Sequence, residues 1–263
     1  MSMNNRRFSL ALEALAELKA DESTPPPSTQ PMPVAPTLSD VLAGIGPLPR
    51  EALLMGVASD GLPVLLNLRD PLPGPILVVG DAGVGKTIFL QTMAQSVLQS
   101  HDSNNVQYGV ITNHPEEWDG ITATAHRAGL FSLDQAGAQD LIVSLASWAH
   151  ANRNTRQSVL LLIDDLEAVA NLDADTLQNL RWLLLRGPAR RVWPVITLST
   201  EKYTEVLTWL QSFRTRIFGR IADQRMAGAL GADKTSALDQ LEARIQFTLR
   251  ENGNWLRFWL PSF

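Results

Sequence analysis

Residues 75–87 read PILVVGDAGVGKT, and this stretch decides the fold. Ile76 to Val79 form an apolar run that predicts a buried strand. Gly80, Asp81, Ala82, Gly83, Val84, Gly85, Lys86 and Thr87 then satisfy GxxxxGK[ST]. The following residues, IFLQTMAQSVL from Ile88, have the pattern of an amphipathic helix. Strand, glycine-rich loop and helix together predict a phosphate cradle. The glycines let backbone N–H groups turn toward phosphate oxygens, and the helix start adds partial positive charge. Lys86 is placed to neutralise β- and γ-phosphate charge and Thr87 to offer its hydroxyl to Mg²⁺, with Ile88 counted among the nucleotide-binding residues. ATP and Mg²⁺ are the cofactors expected.

Downstream, SVLLLIDDLEAV supplies a second acidic motif. Val159 to Ile163 predict a strand buried on both faces, ending in Asp164-Asp165. Carboxylates at a buried strand end need a cation or water. Asp164 is therefore a candidate for holding Mg²⁺, and Asp165 for orienting or deprotonating an attacking water, with Glu167 as second candidate base. Acidic caps of the next helix are the plainer alternative. The run VWPVITLST ends in Ser199-Thr200, hydroxyls able to sense a γ-phosphate or simply to cap the next helix. Arg181, Arg186, Arg190 and Arg191 precede that run. Any of them, Arg186 and Arg190 among them, is a candidate to complete a neighbouring subunit's phosphoryl-transfer site.

Around these motifs, strands are predicted at 75–80, 106–112, 158–164, 192–198 and 215–221, and helices at 86–100, 134–152, 173–186 and 203–212. Hairpins are predicted at 52–67 about Asp60-Gly61 and at the C-terminus about Asn252-Gly253. The alternation implies an α/β fold with a mainly parallel sheet. Residues 1–20 hold a short amphipathic stretch over 7–20, either a frayed tail or a helix that docks a protein partner. Residues 21–37 are rich in Pro, Ser and Thr and read as a linker to a domain spanning 38–263.

Composition closes several routes. The 263 residues contain no Cys, which excludes disulfides, thiol catalysis and thiolate metal sites. The four His are too widely spaced for a metal motif. No apolar run reaches the length of a membrane span, and Glu13 and Glu17 interrupt the N-terminal apolar stretch, so a cytoplasmic setting without membrane contact is expected. Formal charge is −5, yet nine basic residues face three acidic ones between Arg181 and Arg225. That surplus reads either as ordinary surface charge or as a surface for phosphates or a neighbouring subunit.

With these residues in view, the chain resembles the FtsK–HerA superfamily of RecA-like P-loop motor ATPases. The likeness runs from about Glu51 to Phe263, through Gly56-Val57-Ala58-Ser59-Asp60-Gly61-Leu62-Pro63-Val64, PILVVGDAGVGKT, LLLIDDLEAV, VWPVITLST, Arg214-Thr215-Arg216-Ile217 and Gly231-Ala232. The resemblance implies a homo-oligomer, a hexameric ring with ATP sites between subunits, moving duplex DNA or another polymer. Departures are also legible. Asp165 stands where the family usually has Glu, Ser199-Thr200 replace a Gln, and Asn113-His114-Pro115 replace an Asp-Pro-Lys. Slow or conditional hydrolysis is therefore expected, and the alternative is a nucleotide-dependent regulator or scaffold of a secretion or conjugation system. A AAA+-type remodeller is a third reading, weakened because the chain finishes in strands and not in a helical lid.

Overall fold

A computed structural model describes residues 36–151, 155–169, 172–251 and 253–263. The amphipathic stretch at 7–20 and all but the last two linker residues lie outside the described residues, as does Asn252. Ten described strands form one sheet: β1 (Ala52–Ala58), β2 (Pro63–Asn67), β3 (Ile76–Gly80), β4 (Val106–Thr112), β5 (Arg127–Ser132), β6 (Ser158–Ile163), β7 (Val192–Ser199), β8 (Thr215–Phe218), β9 (Gln246–Glu251) and β10 (Asn254–Trp259). Their order is β2-β1-β10-β9-β8-β3-β7-β6-β4-β5. The six strands from β8 to β5 are parallel, and the four at the other side join antiparallel. This is the RecA-like α/β architecture, with a mainly parallel sheet and both hairpins in place.

Each central strand divides its side chains between two cores, as alternation requires. Leu77, Val79, Leu161, Ile163, Ile196 and Leu198 pack on one face, beneath α3 (Ala136–Ala151) and α5 (Ala174–Arg186). Ile76, Val78, Leu160, Leu162 and Val195 pack on the other with α2 (Lys86–Ser100). A short helix, α1 (Leu38–Ile45), precedes β1 and is capped by Thr37. The antiparallel strands are fastened to α2 by Phe89, whose ring lies 5.4 Å from Phe247 and 6.4 Å from Phe258. Gly56 permits the approach of β1 to β10, since a Cβ there would sit 2.5 Å from the Phe258 ring.

Several elements differ from the sequence expectation for physical reasons. Strand β5 was not expected: Gly129 and a half-exposed sequence give it no alternation to read. The helix expected over 203–212 is a 3₁₀ stretch, Thr200–Val206, followed by one turn, α6 (Leu207–Leu210). The strand expected to reach 221 ends at Phe218, because Gly219 and Arg220 turn to bond β3 and the loop beyond it: Gly219 N–H donates to Val79 and Asp81 N–H to the Arg220 carbonyl. Two short helices, α4 (Leu166–Val169) and α7 (Gln224–Ala229), were also unforeseen. Pro194 is accommodated within β7. Val159 N–H donates to Arg191, so odd-numbered β7 residues face β6 and Pro194 faces β3, whose pairing begins only at Val195.

Candidate functional site

The loop Gly80–Lys86 leaves the C-terminal end of β3 between β8 and β7. Its exit into α2 is through Gly85, at φ 94°, where a Cβ would lie 2.6 Å from the Arg244 Cα. Only glycine fits there. Having no side chain, Gly85 leaves the first turn of α2 without a side-chain cap, so its N–H groups remain available to an anion. Asp81 fastens the loop to its surroundings: its carboxylate accepts from the Thr200 hydroxyl and, at 2.8 Å, from Ala222 N–H.

Lys86 is buried, and its ammonium donates to the carbonyls of Gly80 (3.1 Å) and Asp81 (2.9 Å). Burial lowers its pKa, opposed by the charges of Asp165, Asp164, Glu167 and Asp81. Thr87, one residue on, donates its hydroxyl to Asp164 Oδ2 at 2.7 Å. Strand β7 lies between β3 and β6, so the two motifs meet across an intervening strand.

That strand supplies a residue the sequence reading overlooked. Thr197, fully buried, donates to Asp164 Oδ1 at 2.7 Å and accepts from Asp165 N–H at 2.7 Å. It fixes both acids at once. A polar residue at an inward position of an otherwise apolar strand is the signal in the sequence that marks it. Asp165 has φ 76°, a left-handed conformation that Asp tolerates better than most residues. Burial raises its pKa, and the adjacent Asp164 charge adds to the rise. Burial likewise raises the pKa of Glu167. His114, from the end of β4, accompanies them: its bond to Glu116 raises its pKa, and the Asp165 charge adds to this.

The structure thus brings together Lys86, Thr87, Asp164, Asp165 and Glu167, with Thr200 bonded to the loop's own aspartate. Ser199 pairs in register with Gly80. The arginines lie elsewhere. Arg186 ends α5 and Arg190 precedes β7, at the opposite edge of the sheet. Eight residues of β7 at about 3.3 Å each put roughly 25 Å between the two edges. Arg181 stacks over Trp209 at 4.8 Å, and Arg191 donates to the Leu68 carbonyl at 3.1 Å. Arg216 donates to the carbonyls of Leu210 and Leu230, which gives the Arg-Thr-Arg-Ile segment a structural task.

The Thr87–Asp164 contact fits a hard cation with oxygen ligands, and the uncapped helix start and Lys86 fit the phosphates that would share it. Fold and site together define a P-loop NTPase. The NACHT domain model matches residues 74–220, more than half of the chain, and the chain belongs to this P-loop NTPase family. Its structural neighbours are FtsK/HerA-type P-loop ATPases. One is Thermomonospora curvata EccC, ATPases 2 and 3, in complex with a signal sequence peptide, with TM-score 0.70 and 14% identity over 90% of this chain and 45% of that one. Another is the pCW3 conjugation coupling protein TcpA, monomer form with ATPγS, with TM-score 0.67 and 15% identity over 89% of this chain and 71% of that one. The genome packaging NTPase B204 of Sulfolobus turreted icosahedral virus 2, in complex with ATPγS, has TM-score 0.50 and 12% identity over 74% of this chain and all of its own. At these identities the likeness is one of fold, and the chain spans less than half of the EccC chain. No curated protein matches the sequence. Among the described residues, no helix is long and apolar enough to cross a membrane.

Proposed function

We propose that this chain is a Mg²⁺-dependent ATPase of the FtsK–HerA type, working as a cytoplasmic homo-oligomer on a polymer, with duplex DNA the leading candidate. The observation that carries the reading is the Thr87–Asp164 contact at 2.7 Å beneath an open helix start. Thr87 and Asp164 would hold Mg²⁺, and Lys86 would leave the Gly80 and Asp81 carbonyls to meet β- and γ-phosphate oxygens. The metal supplies charge neutralisation at the transferring phosphoryl group. Asp165 would accept a proton from the attacking water, a role its raised proton affinity suits. Its N–H bond to Thr197 holds the backbone while the short carboxylate limits reach, which supports a slow rate.

Arg186 and Arg190 lie at the far edge of their own sheet, so they could serve a phosphate site only across a subunit contact in a ring. The short base and the EccC likeness favour a second reading, a slow nucleotide switch in a secretion or conjugation apparatus. ATPase rate against protein concentration, with oligomer mass measured in parallel and duplex DNA added or withheld, tests both. Specific activity should rise with assembly and with DNA. A dilute monomer hydrolysing at the full rate would exclude a shared site, and indifference to DNA would favour the switch.

A further inference from the structure

At the edge of the sheet opposite the phosphate loop lies a cavity of about 330 Å³. Its floor is formed by Leu68, Val106 and Ser158, all buried, and four arginines line it: Arg50, Arg69, Arg156 and Arg191. One carboxylate, Glu51, lines it too, and this is engaged by Arg69 at 3.2 Å. Four guanidinium groups against one carboxylate is a strong local excess on a chain of net charge −5.

Arg191 is the informative member. It has φ 68°, a left-handed conformation in which glycine would be unstrained and a side chain is disfavoured. Its Nη1 donates to the Leu68 carbonyl, which also receives the Trp193 indole N–H at 3.2 Å. That doubly served carbonyl fixes the guanidinium at the cavity floor with further N–H donors unspent. Burial lowers its pKa and the nearby Arg69 charge lowers it further, against the opposing charge of Glu51, a like-charge repulsion that a bound anion would relieve.

We propose that this cavity is a second anion site, taking a small molecule with two or more phosphoryl charges, such as pyrophosphate or the phosphates of a nucleotide. The arginines converge from the ends of separate elements around a concavity. A duplex backbone, with its charges strung along a line, calls for an extended stripe instead. Planar guanidinium forks suit phosphate oxygens. The inference is independent of the nucleotide reading above.

The test is calorimetric titration of pyrophosphate, without metal and at low salt, into full-length Lys86→Ala protein, so that the phosphate loop contributes little. Saturable, salt-sensitive binding is expected. Arg50→Glu with Arg156→Glu should weaken it by about tenfold or more, because both rim residues are exposed and can be reversed without unfolding. Arg225→Glu, outside the cavity, should leave it unchanged. Failure of pyrophosphate to bind overturns the proposal, as does binding indifferent to the rim reversal. If an oligonucleotide binds through these arginines and pyrophosphate does not, the edge is a nucleic-acid surface and the small-molecule site is refuted.

Discussion

The two edges of the parallel sheet carry opposite charge problems. At the C-terminal edge, four carboxylates (Asp81, Asp164, Asp165 and Glu167) act on one buried lysine. At the N-terminal edge, four arginines share a cavity with one glutamate. Each edge also holds a non-glycine residue in a left-handed backbone conformation, Asp165 at one and Arg191 at the other. Backbone strain of this kind tends to persist where the side chain has a task. The difference lies in how the charge is managed. The acidic edge is laced by threonine hydroxyls from Thr87, Thr197 and Thr200, whereas the basic edge has one ion pair and an open cavity. A tied acidic cluster is prepared to receive a cation together with phosphate. The loosely tied basic cluster is prepared only for an anion.

The largest effect that would break this contrast comes from Lys86→Ala. It removes the buried ammonium on which the four carboxylates act, so nucleotide phosphates lose the cation seated within the loop. ATP affinity or turnover should fall by about 10²-fold or more, measured by fluorescent-nucleotide titration and phosphate release. Stability should change little, since a desolvated ammonium among carbonyls is at best weakly stabilising. Undiminished binding and turnover would remove the acidic edge from nucleotide chemistry.

Next is Thr197→Val, which keeps the shape and deletes the hydroxyl between Asp164 and Asp165 N–H. Two buried polar partners lose their bonds, so stability should drop by about 1–3 kcal/mol and turnover by about tenfold or more. Thr197→Ser should restore most of both. If Thr197→Val lowers stability and spares turnover, the hydroxyl is structural only.

How much of this was legible depends on the range over which each signal acts. The phosphate loop is a local device: Gly85, Lys86 and Thr87 are consecutive, and the helix they start is set by their own spacing. The buried strand before Asp164 was legible because five apolar residues admit few other readings. Thr197 escaped because its importance arises only when β7 lies between β3 and β6, a fact of sheet order. The arginine basin escaped for the same reason. Arg50, Arg69, Arg156 and Arg191 are scattered along the sequence, and three strand starts and the end of β2 bring them together. Composition showed the Arg-rich stretch from Arg181 to Arg225, but of that stretch only Arg191 lines the cavity.

Asp165→Glu probes the acidic edge more gently. The added methylene extends the carboxylate toward the attacking water, for which turnover should rise by several-fold, up to about tenfold. The backbone opposes the change, because φ 76° suits Asp better than Glu, and the cost should be about 1 kcal/mol in unfolding free energy. A variant both slower and less stable, alongside an inactive Glu167→Gln, would transfer the base role to Glu167.

The smallest effect is a shift in stability with pH, and it belongs to the acidic edge. Burial first, then the Asp164 charge, raises the pKa of Asp165 in the folded protein. The folded state therefore binds this proton more readily than the unfolded chain does. Stability from this group is fully present below the unfolded carboxylate value of about 3.9 and is lost as pH rises through the higher folded value. At neutral pH the ionised Asp165 is thus a net burden on the nucleotide-free fold. Asp165→Asn removes the charge and keeps a residue suited to the left-handed backbone, so the apparent melting temperature at pH 7 should rise by a few degrees. The gain should shrink as pH falls toward 4, because the parent's own carboxyl becomes neutral there. Turnover should be largely lost in the same variant, since Asn cannot accept the proton. A variant that melts lower than the parent at pH 7, with the deficit shrinking as pH falls toward 4, would mean that Asp165 stabilises the acidic edge as an anion and that Lys86 already balances it without phosphate or metal.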